Sequence, residues 1–193
     1  MKNLDDKPEL RRRMIAARHA LDPAVKAQAD ARIAEHLSLW LVRHQVRVLG
    51  AYLPMPGEPD LALLYPQLLA RGIVLAMPVV LQKHHPLSFV RWQPGDALAR
   101  DASGTPAPVE RGDYLQPEAV LAPCIGFTGE CLRLGFGGGY FDRTLAQSPR
   151  PKAAGIAYAF SRVAFAAEVH DIPLDIIITD AGFWPPESAG DPA

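Results

Sequence analysis

"VRVLGAYLPMPGEPDLALLYPQLLARGIVLAMPVV", residues 46–80, is the stretch that decides the fold. Residues 46–54 are an apolar run that ends in a Pro/Gly turn, residues 60–72 have the pattern of a helix that stops at a glycine, and residues 73–80 are a second apolar run. A strand, a helix and a strand at this spacing predict a βαβ unit, whose two strands pair in parallel through a right-handed crossover.

Two helices are predicted before this unit. Apolar residues recur at helical spacing over residues 8–21, with Arg18 and the neighbouring arginines on the other sides of the helix. Asp22 and Pro23 are typical of an N-cap and a first helical residue, and they predict a second helix that runs to about Leu41.

Further strands are predicted after the βαβ unit, whereas residues 93–118 show no clear period and are expected to form a long surface loop. The predicted strands are residues 87–92, 119–127, 153–160 and 174–180, and a helix is predicted at 140–147. These elements predict a three-layer α/β fold, a mainly parallel sheet flanked by helices, with ligands beyond the carboxyl ends of the strands. One domain is expected over residues 1–193, with N-terminal helices at 7–43, a core at 46–182 and a flexible tail at 185–193.

Composition narrows the function class. The 20 Lys and Arg residues nearly balance the 21 Asp and Glu residues, so neither a nucleic acid nor another bulk polyanion is expected as a partner. The charged N-terminus lacks a signal core and no run approaches a membrane span, which predicts a cytoplasmic protein without membrane contact. Cys124 and Cys131 have no histidine neighbours, so buried, inert thiols are expected rather than a zinc site or a disulfide.

RLGFGGGYFDR, residues 133–143, is the most unusual segment, because it places four glycines between a predicted strand and a predicted helix. Glycines in this position permit close approach of a phosphate to backbone amides and to the positive end of a helix. Arg133 can add a bidentate charge, and Asp142 can hold a cation that bridges phosphate oxygens. The segment matches neither G-x-x-x-x-G-K-S/T nor G-x-G-x-x-G, and the alternative is a tight turn required only for packing.

Two other segments offer matching chemistry. Lys7 and Arg11 lie one helical turn apart and can reach the same anion, although a solvated basic face is the alternative. Glu58 follows the apolar Leu53 and Met55 at a strand end, which suits a flat heterocycle with a polar edge, or equally a turn and a helix cap.

Acidic residues also precede the last predicted strand. Asp171 and Asp175 are expected to end turns there, and His170 is expected to have a structural role.

Four separated segments together resemble the 5-formyltetrahydrofolate cyclo-ligase family, also called 5,10-methenyltetrahydrofolate synthetase. They are K-x-x-L-R at 7–11, Y-L-P-x-x-x-E at 52–58, RLGFGGGYFDR at 133–143 and HD-x-P-x-D at 170–175. The resemblance implies a Rossmann-like fold of the NagB/RpiA/CoA-transferase type. It also implies an ATP- and Mg²⁺-dependent enzyme that phosphorylates the formyl oxygen of 5-formyltetrahydrofolate and forms 5,10-methenyltetrahydrofolate, ADP and phosphate.

The resemblance assigns expected roles to individual residues. Contacts to ATP are implied for Lys7, Arg11, Arg133, Leu134, Gly135, Phe136, Gly137, Gly138, Gly139, Tyr140 and Phe141. Of these, Arg133 and Tyr140 are expected to act in catalysis, and Asp142 and Asp171 to hold Mg²⁺. Folate contacts are implied for Leu53, Met55 and Glu58, and Tyr140 is expected to pack nearby. The loop at 93–118 would help to close the site, and the enzyme is expected to be a monomer or a weak homodimer.

The sequence departs from the family pattern at several positions. Some relatives have a basic residue where this chain has Phe136 and Gly138, an acidic residue where it has Thr128, and Pro-acid-Pro where it has 106–108. Two other functions are therefore considered as alternatives to the cyclo-ligase activity. One is a non-catalytic homologue that binds a nucleotide or folate, and the other is a sugar-phosphate isomerase-like enzyme that uses Glu58 as a base and needs no ATP.

Overall fold

The computed structural model describes residues 6–185. The tail predicted to fray therefore lies, apart from Pro185, outside the described residues. Within the described part of the chain, no helix is both long and apolar enough to cross a membrane.

The described residues form four α-helices, three of which match the predicted positions closely. They are α1 (Lys7–His19), α2 (Pro23–Arg43), α3 (Tyr65–Ala70) and α4 (Tyr140–Leu145). The α2 helix begins as predicted, because the Asp22 carboxylate accepts hydrogen bonds from the amides of Ala24 and Val25. The α3 helix is shorter than predicted, since Pro66 has no N–H and is tolerated only in a first turn.

Residues 6–185 contain twelve strands, and eight of them form the main sheet. In chain order they are β1 (Val48–Gly50), β2 (Val74–Val79), β3 (Ser88–Arg91), β4 (Leu98–Arg100), β5 (Pro106–Pro108), β6 (Tyr114–Leu115), β7 (Ala119–Pro123), β8 (Gly126–Phe127), β9 (Arg133–Leu134), β10 (Lys152–Ile156), β11 (Ile176–Thr179) and β12 (Gly182–Trp184). The main sheet has the spatial order β12-β11-β10-β7-β1-β2-β3-β6.

The centre of the main sheet is parallel and its edges are antiparallel. Strand β1 pairs in parallel with β2 and β7, and β10 pairs in parallel with β7 and β11, whereas β3, β6 and β12 run antiparallel to their neighbours. The strand order changes direction between β1 and β7, since the chain adds β2 on one side of this pair and β10 and β11 on the other. A crevice at the carboxyl ends of these two strands is the usual ligand site of such sheets.

Alternating side chains of β7 separate the two faces of the sheet. Ala119 and Leu121 join a core with α2 and α3, and Val120 and Ala122 join a core on the opposite face that includes Leu145 of α4. The predicted three-layer, mainly parallel α/β fold is therefore confirmed.

Residues 93–118 are not the continuous loop that was predicted. Strands β4 and β5 form an antiparallel hairpin, and β6 adds an edge strand to the main sheet. The prediction failed because every residue of β4 is exposed and β5 contains two prolines, so neither strand shows apolar alternation.

Three predicted strands end earlier than expected. The apolar run at 119–127 breaks after Pro123, and Gly126–Phe127 then pairs with Arg133–Leu134 in a separate hairpin, β8–β9. Strand β10 ends at Ile156 and is followed by a 3₁₀ turn at Ala159–Ser161. Strand β1 contains only Val48–Gly50, because the chain leaves the sheet to form the crevice wall.

The α1 helix packs on the β8–β9 hairpin. Leu10 and Met14 are buried against Ile125, Leu132 and Leu134. Arg18, which was predicted on the solvent side, lies on this buried face with 3% of its surface exposed. The expected burial of both cysteines is confirmed, and burial raises the pKa of the Cys124 thiol to about 12.

Candidate active site

The crevice between β1 and β7 is formed by two segments of the chain. Residues 51–59 leave the end of β1, and the glycine segment at 133–143 follows β7 through the β8–β9 hairpin. Both segments are at the carboxyl side of the parallel strands, where backbone amides and loop side chains converge on ligands in this kind of sheet.

The glycine segment adopts a conformation that other residues do not easily reach. Gly137 has φ of +94° and Gly139 has φ of +66°, which places both in the left-handed region. The guanidinium of Arg133 folds over Gly135 and occupies the place where a Cβ atom would stand. Its Nη2 lies 3.4 Å from Asp142 Oδ2, and its Cζ lies 5.0 Å from the centre of the Phe141 ring. The bare backbone thus makes room for an arginine.

A polar cavity of about 570 Å³ lies on one side of this segment. It is rich in charge, since four cations and three carboxylates line it: Lys7, Arg11, Arg133, Arg143, Asp142, Glu168 and Asp171. Its size is within the range of small-molecule sites, and its charge suits a polyanion that carries a divalent cation.

Lys7 is fixed in the polar cavity by two carboxylates. Its Nζ lies 2.8 Å from both Asp171 Oδ2 and Glu168 Oε1. Burial opposes the charge of Lys7, but these hydrogen bonds outweigh burial and raise the pKa of Lys7. Burial of Asp171 is likewise outweighed by hydrogen bonds from the Glu168 amide and Lys7, which lower the pKa of Asp171. Both groups are therefore charged at neutral pH.

Arg11 joins α1 to the glycine segment. Its Nε donates a hydrogen bond of 2.7 Å to the carbonyl oxygen of Gly135. Because α1 is anchored by the buried Leu10, the side chains of Lys7 and Arg11 are held at the cavity by a packed helix rather than by a free terminus.

A second, more apolar cavity of about 560 Å³ lies on the other side of the glycine segment. Leu53, Met55 and Glu58 line it together with Tyr140 and Phe141. Such a site, with apolar walls and few polar groups, is typical of small organic ligands. The β4–β5 hairpin contributes residues 101–103, 105 and 106 to the same cavity, so part of the segment predicted to close the site does lie at its wall.

Glu58 is the buried carboxylate of this second cavity. It is 4% exposed, and its Oε2 accepts a hydrogen bond of 2.9 Å from the amide of Met55. Burial raises the pKa of Glu58, while the Met55 amide and the charges of Arg18 and Arg133 act in the opposite direction. Glu58 thus presents a carboxyl group of unusually low acidity next to an apolar cavity.

The two cavities share one wall. Arg133, Gly137 and Gly139 line both of them. Two ligands bound on opposite sides of the segment would therefore be separated by glycine backbone and would both lie beside Arg133.

The structure distributes the predicted site residues between the cavities. Lys7, Arg11, Asp142 and Asp171 lie at the polar cavity with Leu134 and Gly135, and Leu53, Met55 and Glu58 lie at the apolar cavity. Phe136, Gly138 and Phe141, which were expected to contact ATP, line the apolar cavity, as does Tyr140, which was expected both in the nucleotide loop and near the folate. Asp175 ends a turn as expected, since it binds Arg150 and accepts a hydrogen bond from the Ala153 amide.

Sequence reasoning missed two arginines near the site. Arg143 lies four residues after Gly139 and lines the polar cavity. Its place at the end of the segment RLGFGGGYFDR could have indicated that it lies at the site. Arg18 donates a hydrogen bond to the carbonyl oxygen of Cys124 and lies near Glu58. Arg18 lies seven residues after Arg11 and therefore on the same face of α1, which could have indicated that it lies near the site.

The polar cavity has the donors that Mg²⁺ prefers when phosphate supplies further ligands. Asp142 and Asp171 both line it, and Mg²⁺ bound with a nucleotide usually takes one or two carboxylates, phosphate oxygens and waters. Within residues 6–185, no group of three or more His, Cys, Asp or Glu side chains is arranged to hold a metal ion. These residues therefore fit a metal ion that binds together with a polyphosphate, rather than one whose ligands all come from protein side chains.

A third cavity of about 840 Å³ lies beside β3 and β6. Its charged residues Glu118 and Arg150 already pair with Arg47 and Asp175, respectively. It shares no residue with the polar cavity, and its lining has one carboxylate and one guanidinium where the polar cavity has three carboxylates and four cations, so it suits a polyanion less well.

Comparison with known proteins matches this architecture to one family. The family model of the 5-formyltetrahydrofolate cyclo-ligase family matches residues 3–180. The chain is 29% identical to a 5-formyltetrahydrofolate cyclo-ligase of Mycoplasma pneumoniae over 91% of this chain and 99% of the relative. It is 26% identical to the protein of the same name from Escherichia coli, over 86% and 96% of the two chains.

Solved structures agree with the sequence comparison. The 5,10-methenyltetrahydrofolate synthetase of Aquifex aeolicus superimposes with a TM-score of 0.78 and 27% identity, covering 97% of this chain and 96% of that one. The synthetase of Mycoplasma pneumoniae gives a TM-score of 0.74 and 26% identity, covering 91% and 99%. Since the family model spans nearly the whole chain and the fold agrees throughout, this protein belongs to the 5-formyltetrahydrofolate cyclo-ligase family.

Proposed function

We propose that this enzyme converts 5-formyltetrahydrofolate to 5,10-methenyltetrahydrofolate, with ATP as the phosphoryl donor and Mg²⁺ as the metal. One observation carries the proposal: Arg133, Gly137 and Gly139 line both a highly charged cavity and an apolar cavity. A reaction that transfers a phosphoryl group between two bound molecules needs this arrangement, because its main requirements are positioning and charge neutralisation.

The polar cavity is assigned to the triphosphate of ATP. Lys7, Arg11 and Arg133 surround it with positive charge, and the missing side chain of Gly135 lets the Arg133 guanidinium lie against the loop at this cavity. When bound with the nucleotide, Mg²⁺ would be held by Asp142 and Asp171, and it would neutralise charge on the phosphate oxygens.

The apolar cavity is assigned to the reduced folate. Leu53, Met55 and Phe136 supply apolar surface for the ring systems, and the Glu58 carboxylate can accept hydrogen bonds from the pterin edge. Phe136, with 57% of its surface exposed, is assigned here to folate and not to ATP, because the structure places it on this wall.

The proposed reaction has two bond-forming steps. The formyl oxygen on N5 attacks the γ-phosphorus of ATP, and the bond to the β-phosphate oxygen breaks to release ADP. N10 then attacks the activated formyl carbon, the C–O bond breaks to release phosphate, and N10 loses its proton. Arg133 lies between the cavities and is the residue placed to stabilise charge on the transferred group.

Tyr140 is assigned to the second step. Its ring lines the apolar cavity directly after the glycines, where it can pack against the folate and keep water from the activated carbon.

Two features of the site weigh against the other functions considered. A sugar-phosphate isomerase needs one phosphate site and a base near the substrate carbon, whereas this protein has a second cavity of about 560 Å³ beyond the glycines. A homologue that only binds ligands has no need of an arginine shared by two cavities. Neither alternative accounts for the shared wall.

The test follows the absorbance of the methenyl folate while purified protein is mixed with 5-formyltetrahydrofolate, ATP and Mg²⁺. We expect a rise that requires all three, and that is absent when ATP is omitted or Arg133 is replaced in Arg133→Ala. A well-folded protein that gives no rise would refute the proposed function, and a rise without ATP would refute the phosphoryl-transfer route.

A further inference from the structure

We propose that Arg143 binds the polyphosphate of the nucleotide in the polar cavity and is a specific determinant of nucleotide affinity. The inference rests on the proposed use of ATP. Arg143 is in α4, and it lines the same cavity as Lys7, Arg11 and Asp142. Its place at the end of RLGFGGGYFDR is a weak signal in the sequence, so its position in the fold is what carries the inference.

The side chain of Arg143 is folded back along the glycine segment. Its Nη1 donates a hydrogen bond of 2.8 Å to the carbonyl oxygen of Gly138. Its guanidinium also lies 3.1 to 3.4 Å from the point where Gly139 would carry a Cβ atom. Because Gly139 has no side chain, the guanidinium stays against bare backbone at the edge of the cavity rather than in bulk solvent.

The charges of the cavity leave Arg143 available for an anion. Lys7 is paired with Asp171 and Glu168, and Arg133 is paired with Asp142. Within the described residues, Arg143 forms no ion pair with a carboxylate, and it donates to a backbone carbonyl. A guanidinium with unused donors that is held beside a cavity is suited to bidentate contact with phosphate oxygens.

Arg11 and Arg143 approach the glycine segment in the same manner from different helices. Arg11 donates to the carbonyl of Gly135, and Arg143 donates to the carbonyl of Gly138. The two arginines therefore hold two ends of one loop, each with a charge that no carboxylate neutralises within residues 6–185. A triphosphate placed against the loop between them would be contacted from both sides.

The test is direct binding of the imido analogue of ATP with Mg²⁺, measured by calorimetry on the full chain. We expect Arg143→Ala to weaken this binding about tenfold or more, the loss expected for a charge-assisted hydrogen bond. Arg143→Lys should recover part of the affinity. Arg100→Ala is the matched control, since Arg100 Nη1 donates to the carbonyl of Gly104 at 2.6 Å, also across a short loop, and lines neither cavity.

Binding of 5-formyltetrahydrofolate without nucleotide separates phosphate binding from a purely structural role. Gly138 and Gly139 line the folate cavity, so an arginine that merely shaped the loop would affect folate affinity as well. We expect folate affinity to be unchanged in Arg143→Ala. Equal loss for both ligands, or no loss for the ATP analogue, would overturn the proposal for Arg143. Failure of the wild-type protein to bind the analogue would instead refute the proposed use of ATP.

Discussion

Lys7 Nζ lies 2.8 Å from Asp171 Oδ2, although 164 residues separate them in the chain. This contact ties the first turn of α1 to the segment that precedes β11, and it places a cation and a carboxylate at one cavity before any nucleotide is present. Lys7, which is proposed to bind phosphate, and Asp171, which is proposed to bind Mg²⁺, thus hold each other in position. This reduces the reorganisation of the side chains that binding requires.

Asp142→Asn is expected to lower Mg²⁺-dependent turnover by at least about 100-fold, because an anionic ligand proposed for the metal is lost. The fold should remain intact, since the asparagine can still accept the hydrogen bond that Asp142 Oδ1 receives from the Ile172 amide at 3.3 Å. Steady-state assays over a range of Mg²⁺ concentrations, with circular dichroism to check folding, measure the effect. Asp113→Asn is the control, because Asp113 also pairs with an arginine, Arg91, but lies outside both cavities. Near-normal turnover in Asp142→Asn would contradict the metal assignment.

Gly138→Val is expected to weaken binding of 5-formyltetrahydrofolate more than about tenfold. A Cβ atom at this position would lie 2.8 Å from Cε2 and 2.9 Å from Cδ2 of Tyr140, so the ring must move out of the cavity wall. Fluorescence titration with the folate measures the loss. Gly112→Val serves as the control, because no atom lies within 4 Å of its added Cβ. Unchanged folate affinity in Gly138→Val would show that the Tyr140 ring is not part of the folate site.

Affinity for the folate is expected to fall as the pH is lowered, with a midpoint above 4.5, because burial raises the pKa of Glu58 from that value. In the proposed complex the ionised carboxylate accepts hydrogen bonds from the pterin, so binding should be strongest above the raised pKa of Glu58 and should be lost as the pH falls through it. Glu58→Gln should bind weakly at neutral pH and show no such pH dependence. Glu168→Gln, at an exposed carboxylate of the other cavity, should retain the wild-type profile. A wild-type profile with its midpoint at or below 4.5, or one that Glu58→Gln shares, would argue against this role for Glu58.

Leu10→Ala is expected to lower the free energy of unfolding by about 2–5 kcal/mol, the usual cost of removing a fully buried leucine side chain. Leu10 has 0% of its surface exposed and joins α1 to the β8–β9 hairpin. Chemical denaturation measures the change, with Leu39→Ala as a control because Leu39 is 63% exposed. Looser docking of α1 should also raise the KM for ATP. A loss below about 1 kcal/mol would mean that α1 is held by its charged contacts rather than by its apolar face.

The central βαβ unit was predictable because long apolar runs and a glycine stop leave few alternatives for residues 46–80. The hairpin of β4 and β5 was not, since exposed strands lack the alternation that reveals a half-buried face. The same limitation explains the broken run at 119–127, where Pro123 ends the ladder although the residues on both sides are apolar.

The residue types of the candidate site were predictable from the sequence, but their distribution between the two cavities was less so. Lys7, Arg11 and Asp142 were expected near phosphate, and the structure gathers them at one cavity. Phe136 was expected beside ATP, but the two sides of a glycine loop cannot be distinguished in sequence, because positive φ at Gly137 removes the periodicity that would show which way a side chain points.

The α1 helix is connected to both cavities, since Lys7 and Arg11 line the polar cavity and the charge of Arg18 acts on Glu58 of the apolar cavity. Eleven residues of helix separate Lys7 from Arg18, a rise of about 16 Å that the backbone hydrogen bonds keep constant. An insertion or deletion of one residue between Arg11 and Arg18 would rotate one end of α1 by about 100° relative to the other. We therefore expect the length of this stretch to be more constrained than its exposed residues, because a change of length would move either Lys7 and Arg11 from the polar cavity or Arg18 from Glu58.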